Sequence, residues 1–147
     1  MSTNDGWVIG QAGTPGQCGP PDPNKCTSLA ATGDAGQTWQ GVPAPVTGAP
    51  DGATGVSQVR FLDSANGWAY GPELYATHDG GVTWHRIAPL PGRVVDLSAV
   101  GGRAFAVIGT GCSGTGSDYT TGCSGFDLYS AAARGGQWRA VSGGARR

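Results

Sequence analysis

One unit is spelled three times in this chain. Trp39, Trp84 and Trp138 each follow a leucine by ten residues, at Leu29, Leu74 and Leu128. Further upstream stand "GWVIG", "GWAYG" and "FAVIG", ending at Gly10, Gly71 and Gly109. The first two tryptophans close the near-identical runs "ATGDAGQTW" and "ATHDGGVTW". Self-similarity of this kind constrains the fold more than any composition. It implies a repeat architecture in which each copy buries its faces against its neighbours.

The period within each copy is that of short strands between turns. In the middle copy, "VSQVRF" (56–61), "GWAYG" (67–71), "ELYAT" (73–77) and "TWHRI" (83–87) read as four strands. The third copy offers "RVVDLSAV", "RAFAVIG", "FDLYS" and "QWRAV". No segment has a helical period, and the 28 glycines would break one. Disordered chains are poor in large apolar side chains, whereas this one has five Trp, four Tyr and three Phe. The expectation is an all-β protein of three four-stranded propeller-type blades, with strands A to D running from the inside out. The first copy lacks its inner strand, because residues 1–5 are too short to supply one. As one segment, 1–147, the chain divides into a blade at about 1–45, a Pro/Gly-rich connection at 43–55, a blade at about 56–90 and a blade at about 92–142. Three blades cannot close a ring of roughly four to eight. The chain is therefore expected to be part of a longer propeller, or to complete its ring as a homo-oligomer. The bare edge of the first copy could also take a strand from another segment.

The pattern T-x-D-x-G-x-T-W falls at Thr32, Asp34, Gly36, Thr38 and Trp39, and again at Thr77, Asp79, Gly81, Thr83 and Trp84. It resembles the Asp-box of the bacterial-neuraminidase repeat. With "FLDSANGWAYG" ahead of it, the middle copy resembles blades of the Ycf48-like photosystem assembly factors and related propellers. That resemblance implies a propeller fold and little about activity, since sialidases, xyloglucanases, sortilin-type receptors and assembly factors share the box. The third copy departs from it. Ala131, Ala133, Gly135 and Gln137 stand where Thr, Asp, Gly and Thr are expected, and Trp138 remains.

The motif falls on the turn from strand C to strand D. There an Asp accepts hydrogen bonds from amides of its own turn, Gly permits positive φ, and the Trp can pack into the blade. This is a structural role. A calcium loop would need more than one carboxylate per turn, so no metal is expected.

Function is expected where the copies differ. From Gly10 to Leu29 and from Gly109 to Leu128 the distance is 19 residues, against three from Gly71 to Leu74. The B–C loops of copies one and three therefore carry equal enlargements. Each holds two cysteines, Cys18 and Cys26 in one, Cys112 and Cys123 in the other. Local disulfides are favoured over zinc, whose structural sites space their cysteines more closely, and over free thiols. Disulfides in turn point to a secreted or cell-surface protein. The stapled loops share a face opposite the Asp-boxes, with Asp22, Lys25, Asp118 and Tyr119 as candidate contacts for a protein or glycan. The plain alternative is that these loops only cap the blades.

Net charge is −1 and charged residues make up 13%, so no basic stripe suggests nucleic acid. No apolar run is long enough to span a membrane, and the first ten residues lack the pattern of a signal peptide. The arginines stand outside the sialidase setting, no spacing singles out a carboxylate pair from Asp63, Asp96 and Asp118, and His78 and His85 read as exposed and idle. No catalytic residue and no cofactor are assigned. The reading is a non-catalytic binding or scaffold propeller; the alternative is a fragment of a glycoside hydrolase whose catalytic residues lie in other blades.

Overall fold

The structure is a computed structural model, and it describes residues 4–11, 27–45, 55–88, 90–114 and 119–141. These form eleven strands and no helix. The first sheet holds β1 (Gly6–Gln11), β2 (Thr27–Thr32) and β3 (Gln40–Val42), in that order. In the second sheet, β4 (Gln58–Phe61), β5 (Gly67–Tyr70), β6 (Leu74–Thr77) and β7 (His85–Arg86) follow one another. The third sheet repeats that order with β8 (Arg93–Val100), β9 (Arg103–Thr110), β10 (Gly125–Ala132) and β11 (Arg139–Ala140). All pairings are antiparallel between consecutive strands. The fold is all-β, in three meanders, and among the described residues no strand pairs with β1 on its inner side.

Each sheet has two different faces, because successive side chains on a strand point to opposite sides. The forward faces are bulky. Trp7 and Ile9 stand opposite Ala31 and Leu29 in the first sheet, and Trp68 and Tyr70 opposite Ala76 and Leu74 in the second. Phe105 and Val107 stand opposite Ser130 and Leu128 in the third. The backward faces carry small residues on the second strand: Gly6 and Val8, Gly67 and Ala69, Ala104 and Ala106.

Large side chains of one sheet enter the small rows of the next. Trp7 stacks on Phe61 at 4.0 Å, the planes 9° apart. Phe61 itself lies over Gly67, where an added Cβ would stand 2.5 Å from the ring. Between the second and third sheets, Trp68, Tyr70 and Leu74 form one buried cluster with Val94, Leu97, Ala104, Ala106 and Ile108. This is where the core sits: between sheets, not within one.

The registers correct one detail of the sequence alignment. Leu74 pairs with Tyr70 and Leu29 with Ile9, while Leu128 pairs with Val107. The residue equivalent to Gly10 and Gly71 is thus Ile108, not Gly109, and the two loop enlargements differ by one residue. Face, not the identity of a glycine, decides strand register, because a slip of one would expose the apolar row.

The core predicts its own test. Trp68 is 1% exposed and fills the seam between two sheets. Trp68→Ala is expected to cost about 3–5 kcal/mol in urea unfolding, whereas the 62%-exposed Val100 can become Ala for less than about 0.5 kcal/mol.

Candidate functional site

The loops divide between two edges of the sheets. On one edge lie the turns that carry the repeated motif. Thr32 Oγ1 donates to Asp34 Oδ1 at 2.7 Å and accepts from the Gly36 amide at 3.0 Å. Asp34 then takes the Thr38 amide at 2.8 Å and the Thr38 hydroxyl at 2.6 Å. Thr77, Asp79, Gly81 and Thr83 repeat this with distances of 2.8, 2.9, 2.9 and 2.6 Å. Gly36 and Gly81 have φ of 89° and 95°, a conformation that costs glycine least. The side-chain and backbone hydrogen bonds from Thr38 and Thr83 hold the Asp34 and Asp79 carboxyls at about 2, well below the usual 3.8. Each carboxylate is consumed by its own turn.

The tryptophans of the motif do not enter the interior of their own blade. Trp39 is 47% exposed, its Nε1 donating to Gly36 O at 3.1 Å. Trp84 is half-buried, edge-on to Phe61, and its Nε1 donates to Pro43 O, just past the last strand of the preceding sheet. Trp138 packs against the seam of the second and third sheets. The position points off the sheet, and at Trp84 and Trp138 the ring serves the seam between neighbours. In the third turn Ala131 and Ala133 are buried, and backbone bonds replace the carboxylate: Ala133 N–H to Gly102 O, and the Gly135 and Gly136 amides to Ala132 O.

His78, expected to be idle, is exposed but engaged: its Nδ1 lies 2.8 Å from Asn66 Oδ1. Asn66 in turn donates to Asp63, which also takes the amides of Ala65 and Asn66. Those amide bonds first of all lower the Asp63 pKa. With the Gly80 amide on Ala65 O, this lashes the C–D turn to the A–B turn on one edge.

The opposite edge is different. Cys112 and Cys123 form a disulfide that closes the long loop between β9 and β10. Cys18, Cys26, Asp22, Lys25 and Asp118 lie outside the described residues. Tyr119 is not an exposed contact: it is 3% exposed. Its hydroxyl lies 2.9 Å from Ser57 Oγ of the second sheet, and it fills the space that any side chain at Gly71 would need. The phenol is drawn inward because the tight Gly71–Glu73 loop leaves a socket beside it. Arg93 holds the same loop from below, donating to Gly114 O and Tyr119 O.

Beside this latch opens a cleft of about 620 Å³ between the second and third sheets. Leu74, Ile87, Leu90 and Pro91 line it, Arg86 and Arg93 border it, and Cys112 stands at its margin. Arg86 Nε donates to Glu73 Oε2 at 2.8 Å, and Glu73 Oε1 accepts the Gly55 amide. An apolar floor with guanidinium groups at the rim can hold an extended segment carrying a carboxylate. Apart from Leu74 and Cys112, singled out for other reasons, none of these lining residues stood out in the sequence, because they come from three separate segments. One signal was available: Glu73 is the only glutamate in the chain, and it sits in the one B–C loop that is not enlarged.

Neither a protein-family model nor a curated protein matches this sequence. Solved structures do. One is YCF48 bound to D1 peptide, 23% identical with a TM-score of 0.52, covering 91% of this chain and 43% of that one. The three sheets are propeller blades. Another structure, an ancestral GH74 enzyme, is 21% identical with a TM-score of 0.48, over 82% of this chain and 16% of that one. The chain thus spans less than half the length of either.

Two outcomes follow from this geometry. Asp34 and Asp79 titrate near 2 when folded and near 3.8 otherwise. A carboxyl with a depressed folded pKa adds stability above its unfolded pKa and loses it as pH falls through the folded value. The melting temperature is expected to hold as pH falls to about 4 and to drop between there and about 2, and Asp79→Asn should flatten part of that drop. Secondly, Cys112→Ala with Cys123→Ala should cost about 2.5–3 kcal/mol in urea unfolding, the loop entropy that the disulfide removes.

Proposed function

We propose that this chain is a binding propeller segment, non-catalytic, whose partner is a protein segment seated in the cleft between the second and third blades. The observation that carries this reading is the cleft itself: apolar floor, arginine rim and a disulfide-stapled loop as one wall. A rigid wall lowers the ordering cost of binding, since the loop does not have to be fixed when the partner arrives. The peptide-bound state of the YCF48 structure supports a protein partner rather than a glycan. Four of the seven described acids are engaged, Asp34, Asp63 and Asp79 by their own turns and Glu73 by an ion pair, which supports binding over acid–base chemistry. A disulfide persists in oxidising compartments, and this supports a secreted or cell-surface setting. No helix among the described residues is long and apolar enough to cross a membrane.

A displayed random-peptide library panned on the immobilised chain tests the reading, with a glycan array and a chromogenic glycoside panel as companion arms. The expected result is enrichment of peptides that combine an acidic residue with apolar ones. Binding should fall by about tenfold or more in Ile87→Asp, one of the cleft's apolar positions. Glycan hits without peptide enrichment would remove the protein partner, and turnover of any glycoside would remove the non-catalytic reading.

A further inference from the structure

The third copy of the repeated turn differs from the other two in what its side chains leave unused. Trp39 donates its indole N–H to Gly36 O, and Trp84 donates to Pro43 O. Among the described residues, Trp138 Nε1 has no hydrogen-bond partner. Ala88 follows Ile87 as Pro43 follows Val42, and Ala88 and Trp138 both line a cleft of about 490 Å³. Gln137, in the same cleft, also departs from its counterparts. Thr38 and Thr83 give amide and hydroxyl to Asp34 and Asp79, but Ala133 stands in the place of that carboxylate. Gln137 instead turns its Oε1 to Arg139 Nη2 at 3.0 Å, which leaves its NH2 group to offer.

The polar side chains of this cleft are therefore donors. Trp138 presents an N–H and Gln137 an NH2, beside the guanidinium N–H groups that Arg86 and Arg139 do not give to Glu73 and Gln137. The one side-chain oxygen among them, that of Gln137, is taken by Arg139. Donors that converge without an acceptor fit an oxyanion. The half-buried indole and Ile87 fit the apolar body that carries it. We propose that this cleft is a second anchor for the partner segment, taking a carboxylate side chain of a peptide whose apolar residues occupy the larger cleft.

The inference rests on the protein-partner reading of the larger cleft, and two observations extend that reading. The clefts are continuous, since Arg86, Ile87 and Ala88 line both. Along the joined groove stand three guanidiniums, those of Arg86, Arg93 and Arg139, and one carboxylate, Glu73. An extended peptide entering past the stapled loop crosses Ile87 and Ala88 and reaches Trp138 without leaving the groove. An acidic residue there meets donors. The loss of Asp and Thr from the third turn is what frees Gln137 for this contact.

Nuclear magnetic resonance of the nitrogen-15-labelled chain tests the proposal, because each of the five tryptophans gives its own indole N–H signal. Trp138→Phe assigns the one of interest. The probes are two pools of N-acetylated, C-amidated octapeptides, one of mixed Leu, Phe, Ser and Asp, the other with Asn in place of Asp. A uronic-acid tetrasaccharide is the third probe. The Asp pool is expected to move the Trp138 signal and leave those of Trp39 and Trp84 in place. Calorimetry should show its apparent affinity weakened about tenfold in Gln137→Glu. Gln137 is exposed, so that variant should keep the wild-type melting temperature. The Asn pool should bind more weakly and leave Trp138 unmoved. Equal shifts with both pools overturn the carboxylate, and undiminished binding to Gln137→Glu overturns the anchor. Binding of the Asp pool with Trp138 unmoved overturns this inference and leaves the reading of the larger cleft standing, whereas no binding by either pool overturns both. A shift produced by the uronate alone overturns the peptide.

Discussion

The fit of a large side chain on one blade into a small row on the next is the contact on which this molecule depends. No single sheet here has an interior. Trp68, Tyr70 and Leu74 are buried because Ala104 and Ala106 leave room for them, and Phe61 lies flat because residue 67 is glycine. Three short strands or four cannot shield both faces by themselves, so the stability of each blade belongs to the seam. That is also why Trp84 and Trp138 look outward, to a neighbour, and not into their own sheet.

The two edges of the blades follow from this arrangement. On one edge the turns are self-sufficient: a Thr, an Asp and a Gly satisfy each other's donors and acceptors, and little is left to recognise a ligand. On the other edge the connections, long or short, depend on partners far away in sequence. Tyr119 reaches Ser57, Arg93 holds the loop carbonyls, and Glu73 ties Arg86 to Gly55. The cleft exists because these loops lean on one another across a seam. Its shape is set by the latch and the disulfide together, so changes at Gly71 or Tyr119 act on the cleft without touching its lining.

Much of the architecture was legible before any coordinate. The ten-residue spacing of Leu and Trp, the strand-length apolar runs and the missing stretch before "GWVIG" gave three meanders, the first one strand short. The turn chemistry of Asp34 and Asp79 was legible too, because it is made within eight consecutive residues. The register of β9 was not: a glycine that looked equivalent lies one residue past the equivalent position, and only the pairing of Leu128 with Val107 shows it.

What the sequence determined by itself is therefore what neighbours along the chain decide: strands, turns, and the alternation that makes one face bulky and the other small. Tertiary structure alone decided which faces meet and what the long loops do. Tyr119 reads as a polar aromatic on a surface loop, yet it is buried, because its socket is formed by Ser57 and Gly71 from a different blade. Glu73, Arg86, Ile87 and Leu90 became one cleft for the same reason. Local hydrogen bonding is written in adjacent residues, whereas packing between blades joins segments whose separation in sequence carries no trace of their contact.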